Sequence, residues 1–348
     1  MRAFYLEAPK KAYVKDLPEP ELHAGEVLVA VEMCGVCGTD LGGYLGISPV
    51  IRYPVETLGH EAAGRVLALG DGVKGFEVGD RVALEPYISC GVCYPCSLGF
   101  YNNCENIKTR GIRVPGMMAE FVAHPAALTH RLPESLTREQ GALIEPLTIG
   151  IHVNRRARVA AGEYCLITGA GPIGIIVAMV ARHYGAIPIM ADPLAKRLAV
   201  CAELGFKHLC NNAESDLENF LRGVCDGGLP HALIECSGAA PVVERCSNFI
   251  RNSGRGVFVG WPKKPCTMDI TACLRKEIDM LTSRNSANAF PEAIAMTASG
   301  AVDLSRLITA TVPLSETADL FEELIAHPED HLKAVVSISS DKCAATGR

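Results

Sequence analysis

The sequence contains no uninterrupted apolar run of about 18 residues, the length that would indicate a membrane-spanning helix. Its first residues carry a charge every few positions, so they lack the apolar core of a signal peptide. Neither sign of charge dominates, because 33 basic and 39 acidic residues are interspersed and leave a formal net charge of −6. We therefore expect no membrane partner, no nucleic-acid partner and a cytoplasmic location.

Cysteine, by contrast, is plentiful, with 15 in a chain of 348 residues. In a secreted protein such a number would indicate disulfides, but in a reducing compartment clustered cysteines are more typical of metal ligands. The spacing of the cysteines therefore has to decide between the two. The chain is long enough to bury a substantial core, and its length favours two domains.

The stretch from Cys165 to Asp192 predicts a βαβ unit. A short apolar run ends in the turn GAGPIG at 169–174, and apolar residues then recur at helical spacing. The first glycine permits the tight turn, the second lets a pyrophosphate approach the helix N-terminus, and the third allows close packing of helix on strand. An ordinary glycine-rich turn is the alternative for these six residues alone. Within this unit we expect the cofactor-binding residues Gly169, Gly171, Pro172, Ile173 and Gly174.

The second strand of this unit ends in Asp192, where a carboxylate can accept from both hydroxyls of an adenosine ribose. That carboxylate would repel the additional phosphate of NADP, so it favours NAD. Arg197 could reach the adenosine or a 2′-phosphate, although it could equally be a helix-surface arginine.

The first half of the chain shows short β-type runs at 26–32, 62–69 and 81–84, separated by Gly and Pro turns, which is typical of a compact β-rich barrel. Cys37, His60 and Glu61 lie among these runs and are all zinc-type ligands. Three protein ligands and one open position define a catalytic zinc site. Each residue taken singly could instead be a buried small or satisfied polar group.

Four further cysteines are spaced as a closed metal site: Cys90, Cys93, Cys96 and Cys104. Four thiolates complete a tetrahedron and leave no position for substrate, so this zinc would be structural. A pair of disulfides is the alternative. The remaining cysteines, including Cys343, show no ligand spacing and are interpreted mainly as small buried hydrophobes.

Glu145 stands in the otherwise apolar run at 143–152, where a carboxylate needs a metal or a buried cation as partner. A surface turn residue is the alternative. Beyond Asp192, apolar segments near 207–210, 232–235, 256–260 and 278–281 alternate with helical ones and predict about six parallel strands. Two amphipathic helices at 290–299 and 315–326 and a final strand at 334–339 then return the chain to the first domain.

These motifs together resemble the zinc-dependent medium-chain alcohol dehydrogenases over nearly the full length, and most closely the polyol and sugar-acid branch around sorbitol dehydrogenase. The resemblance rests on GHE at 59–61 with its downstream glycines and GDRV at 79–82, the four-cysteine lobe, LIEPLTIGIH at 143–152, GAGPIG with its downstream Asp, and ECSG at 235–238.

The resemblance implies a GroES-like β-rich catalytic domain (1–147 and 287–348) and a doubly wound Rossmann NAD-binding domain (148–286), with the site in the cleft between them. It also implies two zinc ions per chain and NAD as cofactors. By the same resemblance Cys37, His60 and Glu61 bind the catalytic zinc, Glu145 lies beside it, and the hydroxyl of Thr39 accepts the substrate proton. An N-cap is the alternative for Thr39.

The implied reaction transfers a hydride from a secondary alcohol of a polyol or sugar acid to NAD, in a homodimer or homotetramer. Threonine, a simple alcohol or a diol are alternative substrates. A zinc-free quinone reductase of the same superfamily and a non-catalytic zinc protein are more remote alternatives.

Two departures from the family pattern concern the substrate and its proton. Gly42 replaces a histidine that passes the proton onward in many relatives. The segment from Arg110 to Phe121 also differs from the usual pattern. Because a guanidinium fork fits a planar carboxylate, we hypothesise that Arg284, with Arg110 and Arg113, binds a sugar acid such as an aldonate. Solvated loop charges are the alternative for Arg110 and Arg113.

Overall fold

The computed structural model describes residues 1–338, and Ser339, the last residue of the predicted final strand, lies outside this range, as does Cys343. The chain divides into two compact units, one formed by residues 1–145 and the segment from Phe290 onward, the other by residues 146–289. Within residues 1–338, no helix is long and apolar enough to cross a membrane.

The first unit begins with short strands and turns, as its alternation of apolar and polar residues predicts. Its strands up to residue 145 are β1 Arg2–Ala8, β2 Lys11–Asp16, β3 Glu26–Val36, β4 Glu61–Leu69, β5 Arg81–Leu84, β6 Tyr87–Ile88, β7 Lys108–Thr109, β8 Phe121–Pro125 and β9 Thr129–Arg131. Three short helices accompany them: α1 Gly38–Tyr44, α2 Tyr94–Ser97 and α3 Arg138–Ala142. The helix α4, Ile144–Arg156, then leads into the second unit.

The second unit is a doubly wound sheet. Its elements are β10 Tyr164–Thr168, α5 Pro172–His183, β11 Ile187–Asp192, α6 Ala195–Glu203, β12 His208–Asn211, α7 Leu217–Val224, β13 Ala232–Glu235, α8 Ala240–Arg245, β14 Arg255–Phe258, α9 Ile270–Lys276 and β15 Asp279–Thr282. All six strands are parallel, in the order β12-β11-β10-β13-β14-β15. Both faces of such a sheet are covered by helices, which explains why its strands are almost continuously apolar. The prediction of about six parallel strands is confirmed.

The chain then completes the first unit with α10 Phe290–Ala298, β16 Ile308–Pro313, α11 Thr317–Ala326 and β17 Lys333–Ser337. The β17 strand pairs antiparallel with β3, so the first unit has a seven-stranded sheet in the order β16-β17-β3-β4-β5-β9, with β8 also on β3. The core of this unit includes Phe4 on β1 and Phe321 on α11, whose rings pack edge to face at 5.3 Å. Residues near the end of the described chain therefore lie beside residues near its start.

Candidate active site

Cys37 lies at a strand-to-helix junction. The β3 strand ends at Val36, and Cys37 is the N-cap of α1. The Asp40 carboxylate accepts from the Cys37 backbone N–H at 2.9 Å, which fixes the first turn of the helix. Since Cys37 is the cap, Thr39 is not, and its hydroxyl instead lies 3.8 Å from the Cys37 sulfur.

His60 and Glu61 are positioned by a glycine turn before β4. Gly59 has a φ of +89°, which favours glycine, and a Cβ there would stand 2.7 Å from the Cys34 sulfur. The Gly59 N–H donates to Asp40 at 3.2 Å, so one buried carboxylate joins this turn to α1. The metal-binding atoms of Cys37, His60 and Glu61 all lie within 4.8 Å of one another. The fold therefore brings the three predicted ligands together.

Asp40 is fully buried and was not singled out in the sequence as a functional residue. Its Oδ1 lies 3.7 Å from Nδ1 of His60, which is within ion-pair distance, and carboxylates commonly lie beside metal-binding histidines. Burial alone would lower the pKa of His60, but the negative charges of Asp40 and Cys37 raise it well above its usual value. The local field thus favours a cation at this position. The only sequence signal was an acid three residues after the cysteine.

Glu61 has a second partner that sequence reasoning missed. Nζ of Lys333, the first residue of β17, lies 2.5 Å from the Glu61 carboxylate and also donates to the Val36 carbonyl at 2.9 Å. Burial lowers the pKa of Lys333, whereas the Glu61 charge raises it, and the net shift is upward. A lone lysine directly before an apolar strand was the available signal.

Glu145 is buried in the first turn of α4, so the interpretation as a surface turn residue is wrong. Its Oε1 accepts from the hydroxyl of Tyr87, a buried residue of β6. Burial raises the pKa of Glu145 to about 7, and the nearby charge of His60 opposes this shift. Glu145 is thus near the cluster without belonging to its group of three mutually close donors.

The four cysteines of the lobe also converge. Their closest sulfur pairs are Cys93–Cys96 at 3.4 Å, Cys90–Cys104 at 3.5 Å and Cys93–Cys104 at 3.8 Å. A tetrahedral zinc with bonds of about 2.3 Å separates its sulfurs by about 3.8 Å, whereas a disulfide requires about 2.05 Å. All four thiols are free. The donor set fits a closed zinc site, and the disulfide alternative is wrong.

The glycine turn has the geometry that its sequence predicts. Gly169 has a φ of +94°, and a Cβ on Gly174 would stand 1.8 Å from the Gly169 carbonyl oxygen, so neither position tolerates a side chain. Gly171 is the N-cap of α5, which starts at Pro172 and continues through Ile173. A helix N-terminus without a side-chain cap is suited to a pyrophosphate. Arg197 reaches this turn, with Nη1 3.5 Å from the position of a Cβ on Gly171.

Asp192 ends β11 and is 4% exposed. Its oxygens accept from the backbone N–H of Ala170 at 2.7 Å and of Leu194 at 2.9 Å, which fixes the carboxylate beside the turn. A carboxylate has about four lone-pair positions, so it retains acceptor capacity for ribose hydroxyls. Glu235 ends β13 and is similarly fixed, accepting from the N–H of Ser237 at 2.8 Å and of Gly238 at 3.0 Å.

Of the three arginines predicted to bind a substrate acid, Arg110 and Arg113 belong to the first unit and Arg284 to the second. Arg110 donates to the carbonyls of Pro115 and Ala123, and Arg113 is exposed. Arg284 is also exposed and follows β15 by two residues, beyond the carboxyl end of that strand.

Two family models match the chain. The alcohol dehydrogenase GroES-like domain matches residues 23–134, and the zinc-binding dehydrogenase domain matches residues 172–299. An uncharacterized zinc-type alcohol dehydrogenase-like protein of Haemophilus influenzae is 38% identical over 96% of this chain and 97% of its own length. The chain belongs to the zinc-type medium-chain alcohol dehydrogenases. The predicted GroES-like and Rossmann fold class is confirmed.

Relatives of this zinc-type dehydrogenase include the 2-dehydro-3-deoxy-L-galactonate 5-dehydrogenase of Pseudoalteromonas atlantica, 34% identical over 92% of this chain and 93% of that protein. The sorbitol dehydrogenase of Bacillus subtilis is 32% identical over 97% of each. These similarities place the dehydrogenase in the polyol-dehydrogenase branch.

Two similar solved structures contain a nicotinamide cofactor. The Escherichia coli CFT073 protein rspB, complexed with NADH, has a TM-score of 0.91 with 29% identity and covers 97% of this chain and 99% of its own. A zinc-binding dehydrogenase of Sinorhizobium meliloti 1021, bound to NADP, has a TM-score of 0.90 with 29% identity and covers 97% and 98%. The family relationship therefore supports a nicotinamide cofactor without selecting between its two forms.

Proposed function

We propose that this dehydrogenase transfers a hydride from a secondary alcohol of a sugar acid or polyol to NAD, with one catalytic and one structural zinc per chain. The observation that carries the proposal is the convergence of Cys37, His60 and Glu61 within 4.8 Å. Three donors of this chemistry hold a zinc ion and leave one tetrahedral position for a substrate oxygen. A non-catalytic zinc protein has no need of such a set.

When bound, zinc supplies Lewis acidity that lowers the pKa of a substrate hydroxyl. The protein's own residues prepare the site for this chemistry. The negative charge of Asp40 lies beside His60, and Lys333 restrains Glu61. The hydroxyl of Thr39, beside Cys37, accepts the proton that the substrate releases. Because Gly42 offers no side chain, the proton must leave Thr39 by another route, such as a chain of water molecules.

Glu145 contributes to the site without being one of the three proposed zinc ligands. Its carboxyl group has a pKa raised to about 7 by burial and is hydrogen-bonded to Tyr87, so it can hold or release a proton near neutral pH. We propose that it adjusts the charge of the cluster and would offer a bound zinc ion a further oxygen ligand in place of water. The Cys90–Cys104 lobe takes no part in the chemistry, since four thiolates close their own tetrahedron.

Support for NAD comes from Asp192, a fixed carboxylate at the end of β11 where the adenosine ribose binds in this fold. Its charge opposes the 2′-phosphate of NADP. Arg197 has a position from which it could reach the adenosine end of either cofactor.

For the substrate, Arg284 is exposed beyond the carboxyl end of β15, and ligands bind at the carboxyl edge of parallel sheets. A guanidinium there favours a carboxylate. The activity named for the Pseudoalteromonas relative supports a sugar acid, and that named for the Bacillus relative supports a neutral polyol. Threonine and simple diols are further candidates.

The proposal is tested by incubating the purified protein with aldonates, polyols, threonine and simple diols, each with NAD and with NADP. Reduced nicotinamide is followed by absorbance, and zinc is counted by elemental analysis. We expect two zinc ions per chain, and NAD reduction by at least one sugar acid or polyol. A protein that holds only the four-cysteine zinc and reduces neither cofactor would contradict the assignment.

A further inference from the structure

Residues of the first unit line a cavity of about 340 Å³ that shares no residue with either cysteine-containing cluster. This volume lies at the low end of the range for small-molecule sites, about 300–1,000 Å³. Its walls include the apolar side chains of Leu17, Pro18, Phe121 and Val122. Among its polar lining residues are Arg110, which is partly buried, and Glu56, which is exposed.

Arg110 is held in a fixed orientation, because Nη1 donates to the carbonyl of Pro115 at 3.2 Å and Nη2 donates to that of Ala123. Its Nε–H is buried and has no acceptor. Arg110 also forms no ion pair with any carboxylate in the described part of the chain, whereas Arg255 pairs with Glu163. An unsatisfied buried donor costs about 1–3 kcal/mol, and a partly buried charge without a counterion adds to that cost.

Burial lowers the pKa of Arg110, and the negative charge of Glu26 opposes this shift only in part, which agrees with a desolvated guanidinium that has no carboxylate within ion-pair distance. The carbonyls of Pro115 and Ala123 neutralise none of its charge. They do fix the plane of the guanidinium, so little side-chain entropy would be lost when an anion binds.

We propose that this cavity is a second binding site, separate from the catalytic one, that takes a small organic monocarboxylate on Arg110. A carboxylate can accept hydrogen bonds from a guanidinium, and Nη1 and Nη2 of Arg110 each carry a second N–H besides the one donated to Pro115 or Ala123. The apolar walls suit a hydrocarbon body on that carboxylate. The negative charge of Glu56 disfavours a dianion such as phosphate, which selects a singly charged ligand.

The test is a calorimetric titration of the zinc-loaded protein, saturated with NADH, with cyclohexanecarboxylate. The neutral analogue cyclohexanecarboxamide is titrated in parallel. Excess imidazole is present in a second series, because imidazole would occupy an open metal position and block carboxylate binding there. We expect imidazole to leave the carboxylate affinity unchanged, and the amide to bind at least about tenfold more weakly.

Two arginine variants distinguish carboxylate binding at a specific site from non-specific charge attraction. Arg110→Gln should weaken binding of cyclohexanecarboxylate by about tenfold or more. Arg113→Gln, which removes an exposed arginine from the same segment, should leave it unchanged. Equal affinities for the wild type and Arg110→Gln, binding abolished by imidazole, or no binding by the wild type at millimolar concentrations would each overturn the proposal.

A third variant keeps the proposal testable if Arg110→Gln does not fold. Leu17→Trp would fill the cavity while leaving both carbonyl contacts of Arg110 intact. It should abolish carboxylate binding without changing the zinc content. Retained binding in Leu17→Trp would place the ligand elsewhere and overturn the proposal.

Discussion

Lys333 and Glu61, which are 272 residues apart in sequence, form an ion pair in which both side chains are at most 6% exposed. Removing one partner of such a pair destabilises the fold, because the other charge is left uncompensated in a buried site. The strand β17 carries Lys333 back to β3 and β4, so the pair also ties the end of the described chain to the candidate metal cluster.

Lys333→Met should therefore lower the free energy of unfolding of the metal-free protein by about 3–5 kcal/mol. The double variant Lys333→Met/Glu61→Gln should recover most of this loss, because it leaves no unpaired charge. Urea denaturation followed by circular dichroism measures both. Lys74→Met, at an exposed lysine, is the control and should change little. A loss below about 1 kcal/mol in Lys333→Met would show that the buried pair contributes no more than a surface one.

The structural role of the four-cysteine lobe predicts a different outcome. Cys96→Ser should reduce the zinc content from two ions to one and lower the unfolding temperature, since a structural zinc contributes binding free energy to folding. Cys266→Ser removes a thiol outside both clusters and should change neither quantity. Elemental analysis and differential scanning calorimetry provide the two measurements. Two zinc ions in the Cys96 variant would contradict the closed four-thiolate site.

Local motifs carried most of what the sequence predicted. The glycine turn, the six parallel strands and the two cysteine-containing clusters each depend on short spacings or on a periodicity of apolar residues. The structure contains all of these features. Lys333 and Tyr87 were missed because their roles exist only through long-range contacts with Glu61 and Glu145. Strand β16 was missed as well, since it alternates in burial and lies between two helices that gave stronger signals.

The predicted preference for NAD can be tested at Asp192. Asp192→Asn removes the negative charge and keeps one of the two oxygens, so it can accept from the backbone N–H of Ala170 or of Leu194 but not from both. The ratio of kcat/KM for NAD to that for NADP should fall by about tenfold or more, equivalent to about 1.4 kcal/mol. Using the ratio cancels any general loss of activity. An unchanged ratio would mean that Asp192 does not discriminate between the cofactors.

The stability of the protein should fall in mild acid because of His124. This residue is fully buried, and burial, followed by the charge of Arg110, lowers its pKa to about 3. In the unfolded chain its pKa is about 6.5, so the unfolded state binds a proton that the folded state does not. Above about pH 6.5 His124 is neutral in both states. As the pH falls from about 6.5 toward 3, the unfolded state gains a proton that the folded state does not, and the free energy of unfolding decreases by about 1.4 kcal/mol per pH unit.

His124→Gln should therefore flatten the dependence of the unfolding free energy on pH between 6.5 and 4, a range that lies between the two pKa values. Urea titrations at several pH values provide the measurement. His23→Gln, at an exposed histidine, is the matched control and should keep the slope of the wild type. If the two variants have equal slopes, His124 is not a source of the acid sensitivity.

The charge of the substrate can be tested at Arg284, which is exposed beyond the carboxyl end of β15. Lysine keeps the positive charge but loses the planar fork that binds a carboxylate through two hydrogen bonds.

If a sugar acid is the substrate, Arg284→Lys should raise KM for an aldonate by about tenfold or more, which corresponds to about 1.4 kcal/mol of charge-assisted binding. A matched neutral polyol should be affected less, and Arg222→Lys, at an exposed arginine of α7 that is no predicted substrate ligand, should leave both constants unchanged. Steady-state kinetics with paired substrates, such as gluconate and sorbitol, separate the two cases. Equal increases for both substrates would identify Arg284 as a contact to hydroxyl groups and favour a polyol, since only the loss of a carboxylate partner distinguishes an acid from its neutral analogue.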